Sequence, residues 1–382
     1  MPRISDERLK SMVGFIAEHR KHPNVSLQEH YAQSAKTLAT FALARHRVYL
    51  DTRYWVFLRD AALGRPRIPI HSELLELLRR QVQCGAVICP LGDSTFFELL
   101  KQTDTETRMA TVRLIDELSL GVTIQNAKDR LQTELLQFLI NTAIEKRVPG
   151  PPIDRVWLKL GHVLGIPVPV FEGVSAEEQL AISKSFFDVM WSVTLEEQLT
   201  DTPIPEHPDE DFETTAARIT AASKAHASEI GSFQELYQAE IDGFFDGHNE
   251  ELREAFAQFH RTIRPNEQPA AAHDFESADR VFVNVFSNVF RFGKAGTSLP
   301  TAQIVAGVHA IARWHKERPF RSSDFYDIYH ATAALPYCDV FLTERFLGTA
   351  LSRPPLDLAR HFGTTVLWDE MAALDELRRQ SE

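Results

Sequence analysis

Cysteine is scarce in this chain: Cys84, Cys89 and Cys338 are the only three in 382 residues, and they form no CxxC pair. That excludes a zinc knuckle and a disulfide framework, so the three are expected to be reduced core residues. Positive charge is also short, with 41 Lys and Arg against 53 Asp and Glu and a formal net charge of -12. Such a balance argues against a protein that coats nucleic acid non-specifically, although a local basic patch stays open. Long apolar runs are missing, so no segment reaches the length needed to span a bilayer. The opening MPRISDERLKSMVGFIAEHRKH lacks the apolar stretch and small-residue cleavage site of a signal peptide. The expected compartment is the cytoplasm, with no membrane partner. There is no internal repeat and no long low-complexity run.

What is present is the composition of a folded globular chain, 44% hydrophobic and 25% charged. Its length implies one sizeable domain with elaborations, or two domains. Ser5 to Leu43 reads as two mixed-charge helices, an N-terminal arm over residues 1–45. RVYLD (Arg47 to Asp51) is then a short apolar run ending in an acid, and WVFLRDAALG follows with helical spacing and a glycine stop. IHSELLELLRRQVQCG reads as an amphipathic helix capped by Ser72 and closed by Gly85, leading into the β-rich AVICP. LGDSTFFELLKQ begins another helix, with Asp93, Ser94 or Thr95 as its cap. This βααβα order over residues 46–125 implies a parallel sheet. From 126 to 302 the strand signal fades into helical spacing broken by the proline-rich joints VPGPPI, IPVPVFEG and TPIPEHPDED, which reads as a large all-helical insertion. DRVFVNVFSNVFRFG is ambiguous, since its phenylalanines fit a helix and its valines a strand. The α/β pattern resumes over 303–382, with DVFLTE and TTVLW as strands. The expected fold class is therefore α/β with an N-terminal helical arm and a helical insertion.

In a parallel α/β sheet, ligands sit at the carboxyl ends of the strands. That rule selects Asp51 at the end of the first strand, Glu98 just after the second, Asp327 in the first turns of a helix, and Glu344 at the end of DVFLTE. All four are expected to converge at one edge. Asp339 opens the same strand that Glu344 closes, roughly 13 Å away across about four residues, and is excluded. Each acid has an ordinary reading as well. Asp51 could cap the next helix, Glu98 could be a surface acid, and Glu344 could pair with Arg345 or Arg321. Asp324 reads as a helix N-cap with Asp327 at N3, which leaves Asp327 for a metal and Asp324 as an alternative ligand. His330 reads as a packed core histidine. Together the four acids fit one divalent-ion site better than four coincidences, because crowded carboxylates repel unless a cation offsets them.

The hydrophobic strand ending in LDT (Leu50, Asp51, Thr52), the P-x(7)-E run from Pro90 to Glu98, the DIYHATAA run from Asp327 to Ala334 and the FLTE run resemble PIN-domain nucleases. The resemblance covers roughly Arg47 to Gln125 and Gln303 to Trp368, and it rests on the order and spacing of these runs. It implies a compact Rossmann-like parallel sheet in which Asp51, Glu98, Asp327 and Glu344 bind one or two Mg²⁺ or Mn²⁺ ions and hydrolyse phosphodiesters, most often of RNA. In such a site the cation activates water and offsets phosphate charge, so no covalent nucleophile is needed. Two departures stand out: Arg53 where the family often has Asn, and Glu344 where it usually has Asp, which would alter metal preference. The implied function is a metal-dependent ribonuclease, in the class of toxin or defence nucleases, acting on RNA or single-stranded DNA. An inhibitory protein partner or a homo-oligomer is compatible with that class. The alternative is a catalytically weak PIN-like scaffold that binds RNA or protein. A phosphatase of the aspartyl-phosphate type is disfavoured, since it needs an Asp at position 53. For substrate, Thr52 and Arg53 lie near the expected edge. RWHKERPFR adds Arg313, Lys316, Arg318 and Arg321 with Trp314 and Phe320 interleaved, the residue types that suit a phosphate backbone and a stacked base.

Overall fold

The computed structural model describes residues 6–143, 150–200, 210–225, 231–268, 270–314 and 319–380. The chain is mixed α/β and 68% helical, with a four-stranded parallel sheet. The strands are β1 (His46–Leu50), β2 (Val87–Ile88), β3 (Val122–Ile124), β4 (Trp157–Lys159), β5 (Val340–Leu342) and β6 (Thr365–Leu367). The described residues group into two compact units. Unit 1 takes Met1–Asn126, Asp154–Glu206 and Leu367–Glu382, and unit 2 takes Ala127–Ile153 and His207–Val366.

In unit 1, β1 and β2 pair in parallel, His46 opposite Val87 and Arg47 opposite Ile88. Val48, Tyr49 and Leu50 are all 0% exposed, which is why this strand reads as a continuous apolar run without alternation. The helix Thr52–Ala62 follows at once and ends at Gly64, whose φ of 72° only glycine adopts without strain. The helix Pro69–Gln83 begins with proline in its first turn and has Ile68 as its N-cap residue, so Ser72 is inside the helix and does not cap it. The expected start was late because proline at N1 fixes a helical φ and needs no donor, making it the better start signal. β3 and β4 form an antiparallel pair, Val122 opposite Lys159 and Ile124 opposite Trp157. Leu91 extends this pairing by donating to Val122 and accepting from Ile124.

β4 corrects the expectation that residues 126–302 are all helical. Three residues are too few for alternation to be read, and the strand follows directly on the proline-rich joint. After β4, Gly161 packs so closely under the helix Ala176–Trp191 that a Cβ would overlap the Met190 carbonyl oxygen. Gly161→Ala should therefore destabilise the fold by about 1–3 kcal/mol or more, read from urea unfolding, because backbone must move to admit the methyl. A variant as stable as wild type would show that this contact relaxes freely.

Unit 2 is built on helices. Leu131, Leu135, Phe245, Leu252, Phe286 and Ala302 belong to one buried cluster. DRVFVNVFSNVFRFG forms a helix, Asp279–Arg291, that buries Phe282 and Phe286 and leaves Val281 and Val285 exposed. The i, i+4 spacing of the phenylalanines thus outweighs the β-propensity of the valines. β5 and β6 are neighbours, with Thr365 N–H donating to the Asp339 carbonyl at 2.9 Å. Among the cysteines, Cys89 and Cys338 are buried as expected but Cys84 is exposed, because it ends the helix Pro69–Gln83 on the solvent side.

Candidate functional site

Asp51 leaves β1 with extended backbone (φ -71°, ψ 172°) and is the N-cap of the helix Thr52–Ala62, its carboxylate accepting from the Tyr54 N–H at 3.1 Å. It is 6% exposed, so its charge sits in a poorly hydrated place at a strand end. Glu98 is half-buried on the helix Asp93–Leu100. Thr52 donates its hydroxyl to Glu98 Oε2 at 2.6 Å, so the end of β1 and the helix after β2 are joined through this pair. Arg53 is spoken for: it pairs with Glu370 at 3.1 Å and lies over the Phe57 ring. Burial, then the charges of Glu370 and Asp51, hold the Tyr54 phenol well above its usual range, which records an acidic surrounding at the start of this helix.

Two acids here were not singled out as site residues by the sequence. Asp93, expected only as a candidate cap, is 6% exposed and occupies the first helical position after Gly92, its carboxylate accepting from the Ser94 N–H. Glu370 opens the last helix, Glu370–Arg379, and no local pattern ties it to Arg53, 317 residues away.

In unit 2 the helix Ser322–Ala334 begins earlier than expected, with Arg321 as N-cap residue and Asp324 at N3. The buried Asp324 carboxylate accepts from the Arg321 N–H at 2.8 Å, so it helps start the helix from inside the first turn and is not its N-cap. Asp327 lies on the next turn, half-buried, and His330 is buried at 2% exposure. Glu344 follows β5 as the N-cap residue of the helix Arg345–Leu351, and its side chain makes no cap hydrogen bond. Asp339 stands just before β5, at the other end of that strand from Glu344.

Of the basic residues, Arg313 bonds to the Glu240 carboxylate. Lys316 and Arg318 lie outside the described residues. Arg321 is exposed and, with Lys224, Thr220, Glu213 and Ser322, lines an open cleft of about 740 Å³. Trp314 is exposed, but Phe320 is buried against His309 and Phe325 and cannot stack a base.

Four buried hydroxyls have no hydrogen-bond partner among the described residues: Tyr54, Thr95, Ser287 and Thr343. All but Ser287 are close in sequence to a candidate acid. Tyr54 is three residues after Asp51, Thr95 three before Glu98, and Thr343 immediately before Glu344. Leaving such a group unsatisfied costs about 1–3 kcal/mol, so native chains seldom keep several without water, an ion or a ligand to supply the bond. Carboxylates and hydroxyls are oxygen donors, which suit a hard divalent cation such as Mg²⁺ or Mn²⁺. No family model, no curated protein and no solved structure matches the chain.

Proposed function

We propose that the protein is a metal-dependent nuclease of PIN-like type, acting on RNA, with Asp51 and Glu98 as the residues of unit 1 that would hold Mg²⁺ or Mn²⁺ and Asp327 and Glu344 as the further acids that the resemblance implies. The observation that carries the reading is the set of unsatisfied buried hydroxyls of Tyr54, Thr95 and Thr343, each within three residues of Asp51, Glu98 or Glu344 in sequence, since ordered water around a cation would find donors in such groups. A bound divalent cation offsets charge on the phosphate and makes water more acidic. The chain's own residues do the rest. Asp51, fixed by its cap bond to Tyr54, keeps a carboxylate at the end of β1. Thr52 orients Glu98 through its hydroxyl, which makes Thr52 a positioning residue in this account. Arg321 and Lys224 in the cleft of unit 2 provide positive charge for a phosphate backbone. Arg53 and Arg313, each paired with a glutamate, serve electrostatics within the fold and are set aside as substrate contacts.

The test is hydrolysis of total RNA and of single-stranded DNA by the purified chain across a titration of Mg²⁺ and Mn²⁺. Glu344→Asp should keep activity or raise it, because Asp is what the resembling family usually has at this place and either carboxylate can ligate Mg²⁺. Loss of cleavage in Glu344→Asp would contradict the expectation that this place accepts the residue usual in the resembling family. The scaffold reading takes over if the chain binds RNA and never cuts it under any metal; Arg321→Ala should then weaken binding in a salt-dependent way.

A further inference from the structure

A second cluster, far from the acids in chemical type, lies where the N-terminal helices meet the helix Ala176–Trp191 in unit 1. His19 ends the helix Asp6–His19 and His30 sits in the first turn of the helix Leu27–Leu43. Both point their Nε2 atoms at one carboxylate: His19 at Asp188 Oδ2 and His30 at Asp188 Oδ1, each 2.7 Å away. The candidate ligand atoms of all three residues lie within 4.8 Å of one another. We propose that His19, His30 and Asp188 bind one divalent transition-metal ion of the zinc class.

The geometry needs little change to do so. Ligands 2.0–2.1 Å from a tetrahedral ion stand about 3.3 Å apart, so each imidazole would withdraw from the carboxylate by about 0.6 Å and the two rings would close on each other. Each ring then presents its Nε2 lone pair and carries its proton on Nδ1. Two imidazoles and a carboxylate select Zn²⁺, Ni²⁺ or Cu²⁺ over Mg²⁺, which sets this cluster apart from the all-oxygen acids.

The surroundings hold the three residues in place. Lys184, one turn before Asp188 and 1% exposed, donates to the carbonyls of His22 and Val25 at 2.9 Å each and so fixes the turn between the two histidine-bearing helices. His30 stands edge-on to Phe187 at 5.5 Å between ring centres, and His19 edge-on to His30 at 4.8 Å. A polar cavity of about 250 Å³ opens beside His19, lined by Arg20, Ser175, Glu178 and Lys184. It has room for the water or small ligand that would complete the coordination. Three protein ligands that leave a fourth position to water or a small ligand is the arrangement of an open zinc site. The ion would tie the N-terminal helices to the helix Ala176–Trp191, adding to the hydrogen bonds that Asp188, Lys184 and Glu178 already make there.

The full chain, stripped with chelator and dialysed, should be titrated with Co²⁺ and followed by visible absorption. One equivalent should bring up the ligand-field bands of a low-coordinate Co²⁺ site, and Zn²⁺ should abolish them. Zn²⁺ should also raise the thermal midpoint of the wild type by several degrees, through preferential binding to the folded state. His30→Gln and His19→Gln should each lose the bands and the Zn²⁺-dependent shift, while Asp51→Asn should keep both. A wild-type chain that develops no bands and no midpoint shift overturns the site, whatever the variants do. Bands that survive unchanged in folded His30→Gln or His19→Gln overturn the assignment to these residues.

Discussion

Glu134→Ala should destabilise the fold by about 3–5 kcal/mol at pH 8, read as a lowered urea midpoint with an unchanged slope, because it removes a buried carboxylate and leaves the buried donors that bond to it unsatisfied. Glu134 is fully buried on the helix Ala127–Ala143 and accepts three hydrogen bonds: from the Thr301 N–H at 3.0 Å, the Thr301 hydroxyl at 2.8 Å and the Tyr337 hydroxyl at 2.8 Å. One turn earlier Arg130 is also fully buried, donates to Thr332 at 2.8 Å, and acts on Glu134 through its charge. Burial pushes the Glu134 carboxyl up to about 7, against the opposing pull of Arg130 and of the hydrogen bonds. The sign of the pH dependence follows. A carboxyl raised above its unfolded value of 4.5 contributes stability that is full below about pH 4.5 and is lost as pH rises through about 7. The stability of wild type relative to Glu134→Gln should therefore fall between those two pH values and level off above them. A flat difference across that window would place the Glu134 carboxyl near its ordinary value.

Asp51→Asn should lower metal-dependent hydrolysis of RNA by orders of magnitude while leaving the fold intact. The two effects separate because asparagine is as good an N-cap as aspartate, so the bond from the Tyr54 N–H survives. What is lost is the negative charge that would ligate a cation, and Mg²⁺ tolerates poorly the loss of a carboxylate. Removing that charge from an acidic surrounding should, in chelator, leave the thermal midpoint equal to wild type or higher. Asp51→Ala would add the loss of the cap, about 1 kcal/mol, and so is the poorer probe. A large drop in midpoint for Asp51→Asn would assign the residue to the fold instead of to a metal.

The parts of this molecule that announce themselves in sequence are those with a local cause. β1 was legible as an apolar run because three of its residues are wholly buried, and Gly64 and Gly85 marked helix ends because the chain there takes positive φ. Asp51 was legible as an acid closing a strand, in both its readings: the cap bond is present, and the metal reading is the proposal that builds on it. Helix starts were less legible. At Pro69 and Ser322 the chain enters the helix earlier than the nearest good capping residue suggested, since proline at N1 and an N3 carboxylate do the same work from inside the first turn. β4 escaped because a three-residue strand has no period to detect. The cluster of His19, His30 and Asp188 left no trace in local pattern, since Asp188 is 158 residues from His30 and only the packing of helices brings them together. Arg53 shows the converse: a basic residue next to a candidate acid reads as a substrate contact until its partner, Glu370, arrives from the far end of the chain.

The central claim, a metal-dependent ribonuclease, is tested most directly by one assay: cleavage of total RNA by wild type and by Asp51→Asn, each in Mg²⁺, in Mn²⁺ and in EDTA. Cleavage by wild type is expected with either metal and not in EDTA, with little or none by folded Asp51→Asn under any condition. Cleavage by Asp51→Asn that persists in EDTA would contradict it.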